Sequence, residues 1–142
     1  MKQLAYMPKS KKQEHLTPDL IFDLIKEHWN ISKEEFYDPC PPGTPFRAPI
    51  FFNGLYGDWK NLNYVNSPFE KEILQAFVKK AVEQFIENGF RSVLLCPTKT
   101  DQDWFHDFIL ANNFEILWIR KRLKFKGNKH HATDTHFLVM IE

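Results

Sequence analysis

The feature that most constrains the fold is a long amphipathic segment between two short apolar runs. Its apolar residues repeat at the i, i+1, i+4, i+5 spacing of a helix over about four turns: Ile73, Leu74, Phe77, Val78, Ala81, Val82, Phe85 and Ile86. Asn88 and Gly89 then provide a helix end. The flanking runs 62–65 and 90–96 are predicted strands, and Pro97 ends the second. Two strands joined through a helix favour parallel pairing in an α/β sheet.

The other predicted elements fit the same class. Two further helices are predicted, over 18–29 and 101–111, and the first begins with Thr17 as N-cap and Pro18 as first helical residue. Three short strands are predicted at 35–37, 114–119 and 136–141. We therefore expect an α/β fold with a mostly parallel sheet, flanked by helices and finished by a C-terminal hairpin.

The length of 142 residues allows one domain with a core, but not a catalytic domain plus a separate recognition domain. We expect residues 1–15 to form a flexible N-terminal arm and residues 16–142 a single domain. No apolar run approaches the roughly 20 residues of a membrane span, and the polar start does not resemble a signal peptide. An intracellular, cytoplasmic protein without a membrane partner is expected. Cys40, Cys96 and the histidines lack the spacing of a zinc site, so no metal is expected.

Charge is unevenly distributed along the chain. The net charge is +1, but the segment 120–129 carries no acid and six basic residues: Arg120, Lys121, Arg122, Lys124, Lys126 and Lys129. The remainder, with 13 basic against 18 acidic residues, carries −5. A basic strip on an acidic body is typical of an edge that contacts phosphates. It is equally typical of a solvated hairpin whose charges keep an edge strand soluble.

Three predicted strands end at residues that could shape a site. Asp38 follows the first, Asn66 the second and Pro97 the third, and the proline-rich stretch 39–45 makes a rigid loop after Asp38. In sheets of this class, ligands lie beyond the carboxyl ends of the strands. The three ends therefore predict one candidate site.

The turn Asn66-Ser67-Pro68-Phe69 has two interpretations. As local structure, Ser67 is the N-cap of the long helix, Pro68 its first residue and Glu70 the partner in a capping box. As a site, the turn supplies hydrogen-bond acceptors and a flat ring. The Asn66 side-chain oxygen and the Ser67 carbonyl can accept the hydrogens of an exocyclic amine and stabilise its developing positive charge. Pro68 would fix the turn, and Phe69 would stack on an extruded base.

The turn resembles the catalytic motif of amino methyltransferases, which is Asn or Asp, then Pro-Pro, then Tyr, Phe or Trp. Ser67 replaces the first proline. Over residues 16–141 the chain resembles the small phage-type DNA adenine methyltransferases. The resemblance is carried by the order and spacing of several segments: Leu16-Thr17-Pro18, Tyr37-Asp38-Pro39-Cys40-Pro41, Asn53-Gly54-Leu55, Tyr64-Val65-Asn66-Ser67-Pro68-Phe69, Leu95-Cys96-Pro97, Trp104-Phe105-His106 and Arg122-Leu123-Lys124-Phe125.

This resemblance implies a reduced Rossmann-like class I methyltransferase fold. It also implies methyl transfer from S-adenosylmethionine to the N6 amino group of a flipped adenine in DNA. The implied catalytic residues are Asn66, Ser67, Pro68 and Phe69. The implied cofactor-binding residues are Thr17, Pro18, Asp38, Pro39 and Cys40. The implied contacts to the DNA backbone are Arg122, Lys124, Lys126 and Lys129.

Several alternatives stay open. The target could be the N4 amine of cytosine or a protein glutamine amide. The chain could also be a catalytically silent relative that binds DNA or the cofactor as a regulator. Ser67 motivates that alternative, as do the only 25 residues between Cys40 and Asn66. The ribose ligand of the cofactor is not identified, and Asp58 is the one acid in that interval.

Overall fold

The computed structural model describes residues 16–41, 53–68 and 70–142. Its helices are α1 (Asp19–Trp29), α2 (Asn53–Tyr56) and α3 (Lys71–Asn88). Its strands are β1 (Leu62–Val65), β2 (Arg91–Pro97), β3 (Glu115–Trp118) and β4 (His136–Ile141). The predicted arm 1–15 and most of the proline-rich loop lie outside the described residues.

The four strands form one mixed sheet in the order β1-β2-β4-β3. β1 and β2 pair in parallel, as predicted from the long helix α3 between them, with Val65 opposite Leu94. β4 pairs antiparallel with both β2 and β3. The expected C-terminal antiparallel pair is therefore confirmed, but the expectation of a mostly parallel sheet is wrong. β1, β2 and β3 point the same way, but β4 lies between β2 and β3 and replaces their parallel pairing.

Both faces of the sheet are covered, so the α/β class is confirmed. One face packs against α3, where Phe77 and Val78 contact alternate sheet residues such as Leu94 and Val139. The opposite face packs against Ile21 and Ile25 of α1 and against the buried residues Leu123 and Phe125. Every residue of β4 is buried, because this strand is covered on both faces and paired at both edges.

Two predicted elements differ from the structure. The predicted strand 35–37 is instead a 3-10 turn over Lys33–Glu35, in which the Ser32 backbone N–H donates to the Glu35 carboxylate at 2.8 Å. Only Tyr37 pairs with the sheet, through a parallel bridge to Asn63. The helix predicted over 101–111 contains a π-helical turn at Phe105–Ile109 and a 3-10 turn at Leu110–Asn112.

Gly54 allows α2 to pack directly on the loop that contains Pro39. A Cβ atom at Gly54 would overlap the Pro39 carbonyl oxygen and would lie 3.1 Å from Cε1 of Phe77. The indole of Trp59 donates to the Gly54 carbonyl at 2.6 Å. The Trp59 backbone N–H donates to the buried Gln84 side chain of α3 at 2.7 Å. The loop that contains Pro39 therefore packs on α2, which is in turn bonded to α3.

Replacing Gly54 with alanine is expected to lower the free energy of unfolding by about 1–3 kcal/mol, because the Pro39 carbonyl is backbone and cannot rotate away. Tyr56→Ala is the matched control, since Tyr56 lies on the same helical turn with its side chain 61% exposed. Its effect should stay within about 0.5 kcal/mol. Urea unfolding followed by circular dichroism measures both variants. A Gly54→Ala protein as stable as the wild type would contradict the contact.

Candidate functional site

The three predicted positions lie at one edge of the sheet, although the first of them follows an isolated bridge at Tyr37 rather than a strand. The parallel bridge at Tyr37 places Asp38 beside the carboxyl end of β1, where Asn66 follows. The parallel pairing of β1 with β2 places Pro97 at the same edge of the sheet. The positions that follow three chain segments thus meet at the edge where sheets of this class bind ligands.

Thr17 links the N-terminal side of α1 to this edge. Its Oγ1 lies 3.0 Å from the Tyr64 hydroxyl, and the Asn66 amide nitrogen donates to Oγ1 at 3.1 Å. Burial raises the pKa of Tyr64 far above its ordinary value, so its hydroxyl stays neutral. Since the amide nitrogen of Asn66 faces Thr17, its oxygen lies at the opposite end of the amide. The network therefore sets the orientation of the Asn66 side chain.

This arrangement corrects the predicted capping role of Thr17. The N-cap of α1 is Pro18, which makes no side-chain cap, and the helix begins at Asp19. The Thr17 hydroxyl instead bonds to Tyr64 and Asn66, residues far away in the sequence. Long-range hydrogen bonds have replaced the local one here.

The capping interpretation of Ser67 is also wrong. α3 begins at Lys71 with Glu70 as N-cap, and no side chain caps this end. The Ser67 hydroxyl instead donates to the Pro68 carbonyl at 3.4 Å, and both residues are buried. Residues 66–68 therefore form a separate turn between β1 and α3. Phe69 lies outside the described residues.

Asp38 is a half-buried carboxylate at the same edge. Its pKa is raised because burial disfavours the charged form, although the Cys40 backbone N–H, which donates to Oδ1 at 2.8 Å, opposes this shift. In the described part of the chain, no lysine or arginine forms an ion pair with Asp38. A carboxylate in this state gains stability from a cationic ligand. Pro39 and the buried Cys40 complete the loop, which rests on Gly54.

A cleft of about 190 Å³ opens at the carboxyl end of β2. Its walls come from the first turns of α3, from the chain after Pro97 and from the start of β4, and include Lys71, Leu74, Lys99, Gln102 and His136. The Gln102 amide oxygen accepts from the Trp104 indole at 2.7 Å, and Lys99 pairs with Asp134 at 3.1 Å. The cleft combines apolar walls with hydrogen-bond donors, as small-molecule sites commonly do.

The basic segment, residues 120–129, alternates between core and surface. Leu123 and Phe125 are buried against α1, whereas Arg122, Lys124 and Lys129 are exposed. Phe125 is therefore a residue of the core. Lys126 is also exposed, but its ammonium forms an ion pair with Asp19 at 2.7 Å. The segment thus presents its positive charge to solvent from a firmly anchored backbone.

Three other residues, Asp58, Trp104 and His106, make contacts within the fold. Asp58 accepts a hydrogen bond from Gln84 of α3 at 3.2 Å, so it supports the packing of α2. Trp104 is buried in the core. His106 is exposed, and its Nε2 lies 2.7 Å from the Thr100 carbonyl oxygen.

Tyr64 is the residue of the network that the sequence did not single out. It stands in a buried strand, and a buried tyrosine hydroxyl usually needs a hydrogen-bond partner. That requirement was a usable signal, but the identity of the partner, Thr17, depends on tertiary structure.

The described residues contain no group of three or more His, Cys, Asp or Glu side chains able to hold a metal ion. None of their helices has the length and apolar character needed to cross a membrane.

A layered α/β unit with a polar turn, a half-buried carboxylate and a cleft at one sheet edge has the arrangement in which α/β folds bind ligands. The chain belongs to the DNA N-6-adenine-methyltransferase (Dam) family, whose model matches residues 5–140. The resemblance read from the sequence is confirmed. Family membership indicates a methyltransferase that acts on adenine in DNA. No curated protein and no solved structure shows significant similarity to the chain.

Replacing Asp38 with asparagine is expected to raise the melting temperature at pH 7. The folded protein holds the Asp38 proton more tightly than the unfolded chain, so the carboxyl makes folding less favourable as pH rises through its folded pKa. Asparagine keeps the Oδ1 acceptor for Cys40 and removes the charge. The gain should shrink as pH falls through the folded pKa towards 3.8, the ordinary pKa of an aspartate, and should vanish below that value, where the carboxyl is neutral in both the folded and the unfolded chain.

Asp23→Asn is the matched control, since Asp23 is exposed on α1. At each pH between 4 and 7, its melting temperature should equal that of the wild-type protein. Thermal unfolding followed at several pH values compares the two variants. A loss of stability in Asp38→Asn at pH 7 would show that the carboxylate is stabilised rather than destabilised by its surroundings.

Proposed function

We propose that the chain transfers a methyl group from S-adenosylmethionine to the N6 amine of an adenine flipped out of DNA, with residues 16–142 acting as one Rossmann-like catalytic unit inside the cell. The observation that carries this proposal is the Asn66 side chain, oriented by Thr17 at the strand edge beside Asp38. Family membership supplies the general reaction, and the local geometry supports the assignment of roles.

The donor set fits S-adenosylmethionine. This cofactor carries a sulfonium and an ammonium group, and Asp38 is a partly buried carboxylate without a cationic partner among the described lysines and arginines. We assign Asp38, Pro39 and Cys40 to the loop that holds the cofactor, with Thr17 and Pro18 at its methionine end. The bound cofactor supplies an electrophilic methyl group. Asp38 supplies the countercharge that favours binding of the cation.

Asn66 and Ser67 prepare the amine for attack. The lone pair of an exocyclic amine is delocalised into the ring, which makes it a poor nucleophile. The Asn66 amide oxygen and the Ser67 carbonyl each accept a hydrogen bond from one N–H group of the amine. These two hydrogen bonds favour the localised lone pair and stabilise the positive charge that develops on nitrogen. Thr17 contributes by accepting a hydrogen bond from the amide nitrogen of Asn66, which fixes the orientation of the amide. The methylated amine then releases its proton to water.

The cleft beside Pro97 is suited to the extruded base. It begins at the first turn of α3, directly after the catalytic turn, and it extends along the neighbouring strand end. Leu74 provides apolar wall, while Lys71 and Gln102 provide donors for ring nitrogens. We assign Phe69 to stacking on the base and Pro68 to fixing the turn.

The exposed basic side chains Arg122, Lys124 and Lys129 are assigned to the DNA backbone. They project from a segment that Leu123 and Phe125 anchor in the core, so they present charge at a defined position. Binding through such contacts weakens with added salt, because each neutralised phosphate releases counterions.

Asn66→Ala is expected to reduce methyl transfer by about 100-fold or more, the scale of losing one preorganised group at a developing charge. Asn112→Ala is the matched control, because Asn112 is exposed and bonds only locally to the Phe108 carbonyl. Radiolabelled methyl transfer to duplex DNA measures both variants. Mass spectrometry of the digested nucleosides separates N6-methyladenine from N4-methylcytosine. Full activity in Asn66→Ala would overturn the assigned roles.

A catalytically silent relative is the second candidate, favoured by Ser67, which replaces a motif proline and is buried. Isothermal titration calorimetry separates the two functions. Binding of S-adenosylmethionine, alone or with DNA, together with measurable transfer supports the enzyme. Absence of cofactor binding in both conditions, or binding without transfer to any DNA tested, supports the silent protein.

A further inference from the structure

Lys126 lies in the basic segment but is fastened to the start of α1. Its ammonium donates to Asp19 Oδ1 at 2.7 Å, and its backbone N–H donates to the Leu16 carbonyl at 3.1 Å. The hydrogen bond and the charge of Lys126 lower the pKa of the Asp19 carboxyl. Lys126 therefore contacts residues on both sides of Thr17.

The backbone around Lys126 has a defined conformation. Phe125, the preceding residue, is 2% exposed in the core. Gly127, the following residue, has a φ of +85° in a turn closed by the Asn128 N–H, which donates to the Phe125 carbonyl at 3.1 Å. The backbone of Lys126 is thus held in place by the core and by the turn, and Lys126 can hold the segment 16–19.

The segment attached to it carries the hydroxyl that orients Asn66. Leu16 and Asp19 bond to Lys126, and between them Thr17 bonds to Asn66 and to Tyr64. Loss of either bond to Lys126 would let residues 16–18 move relative to β1. The first consequence would be a change in the orientation of the Asn66 amide.

We propose that Lys126 and Asp19 are positioning residues, which hold Thr17 against Asn66 through the docked segment 16–19. This proposal rests on the catalytic role assigned above to Asn66. It separates Lys126 from Arg122, Lys124 and Lys129, which remain the phosphate contacts. Lys126 acts on turnover, whereas the other three act on DNA affinity.

The test is a double-mutant cycle with Lys126→Ala, Asp19→Ala and the double variant. Lys124→Ala is the comparison for a lost phosphate contact, and Lys79→Ala, at an exposed lysine of α3, is the matched control for kcat. Lys126→Ala and Asp19→Ala should each lower kcat at saturating DNA and cofactor by about two- to fivefold, the range an exposed ion pair can supply. The double variant should show no further fall, since both changes remove one interaction. The salt dependence of DNA binding should be unchanged in all three.

Lys124→Ala should instead lower the slope of log affinity against log salt by about 0.9, the value for one lost phosphate contact. Lys79→Ala should leave both kcat and this slope unchanged. If Lys126→Ala follows the pattern of Lys124→Ala, or if Asp19→Ala tightens DNA binding by releasing Lys126, then Lys126 is a phosphate contact and the proposal is wrong.

A readout without activity separates this proposal from the proposed function. The side-chain amide signal of Asn66 in a ¹⁵N correlation spectrum, assigned by its loss in Asn66→Ala, reports the bond to Thr17. It should shift in Lys126→Ala and Asp19→Ala but not in Lys124→Ala. These shifts in a protein that transfers no methyl group would uphold the positioning and reject the function. An unshifted signal would reject the positioning, whatever the activity.

Discussion

The parallel pairing of β1 with β2 is the constraint on which the arrangement of the site depends. Because the two strands run in the same direction, the turn after Val65 and the cleft after Pro97 lie at one edge of the sheet. The Tyr37 bridge adds Asp38 to that edge. α3 makes the parallel pairing possible, since a crossover connection must carry the chain back to the other end of the sheet. A half-buried carboxylate, an oriented amide and a cleft thereby lie at one edge of the sheet.

Local and long-range interactions compete at this edge. The hydroxyls of Thr17 and Ser67 both stand where a helix cap is expected, and neither caps a helix. Thr17 bonds instead to Tyr64 and Asn66, and Asp38 is kept in surroundings that disfavour its charge. Such departures from the most stable local arrangement are typical of functional sites, because binding groups must stay available to a ligand.

This competition explains what could be predicted from the sequence. The bounds of α3, β2 and β4 follow from periodicity and from Gly89 and Pro97, which are local signals. The insertion of β4 between β2 and β3 is a long-range pairing and leaves no such signal. The partners of Thr17 lie 47 and 49 residues away, so local sequence patterns indicated a capping role and could not indicate these hydrogen bonds. The edge of the site was predictable because parallel strands end together, whereas its hydrogen bonds depend on tertiary packing.

The position of β4 has a consequence for synthesis. β1, β2 and β3 precede it in the chain, yet β4 is the interior strand that joins β2 to β3 and closes both cores. Until residues 136–141 leave the ribosome, β2 has one unpaired edge and β3 has no neighbour in the sheet. Unpaired edges and exposed apolar faces promote association between nascent chains. Completion of the fold therefore waits until residues 136–141 have emerged, and the edge of β2 and the apolar faces of the sheet stay exposed until then.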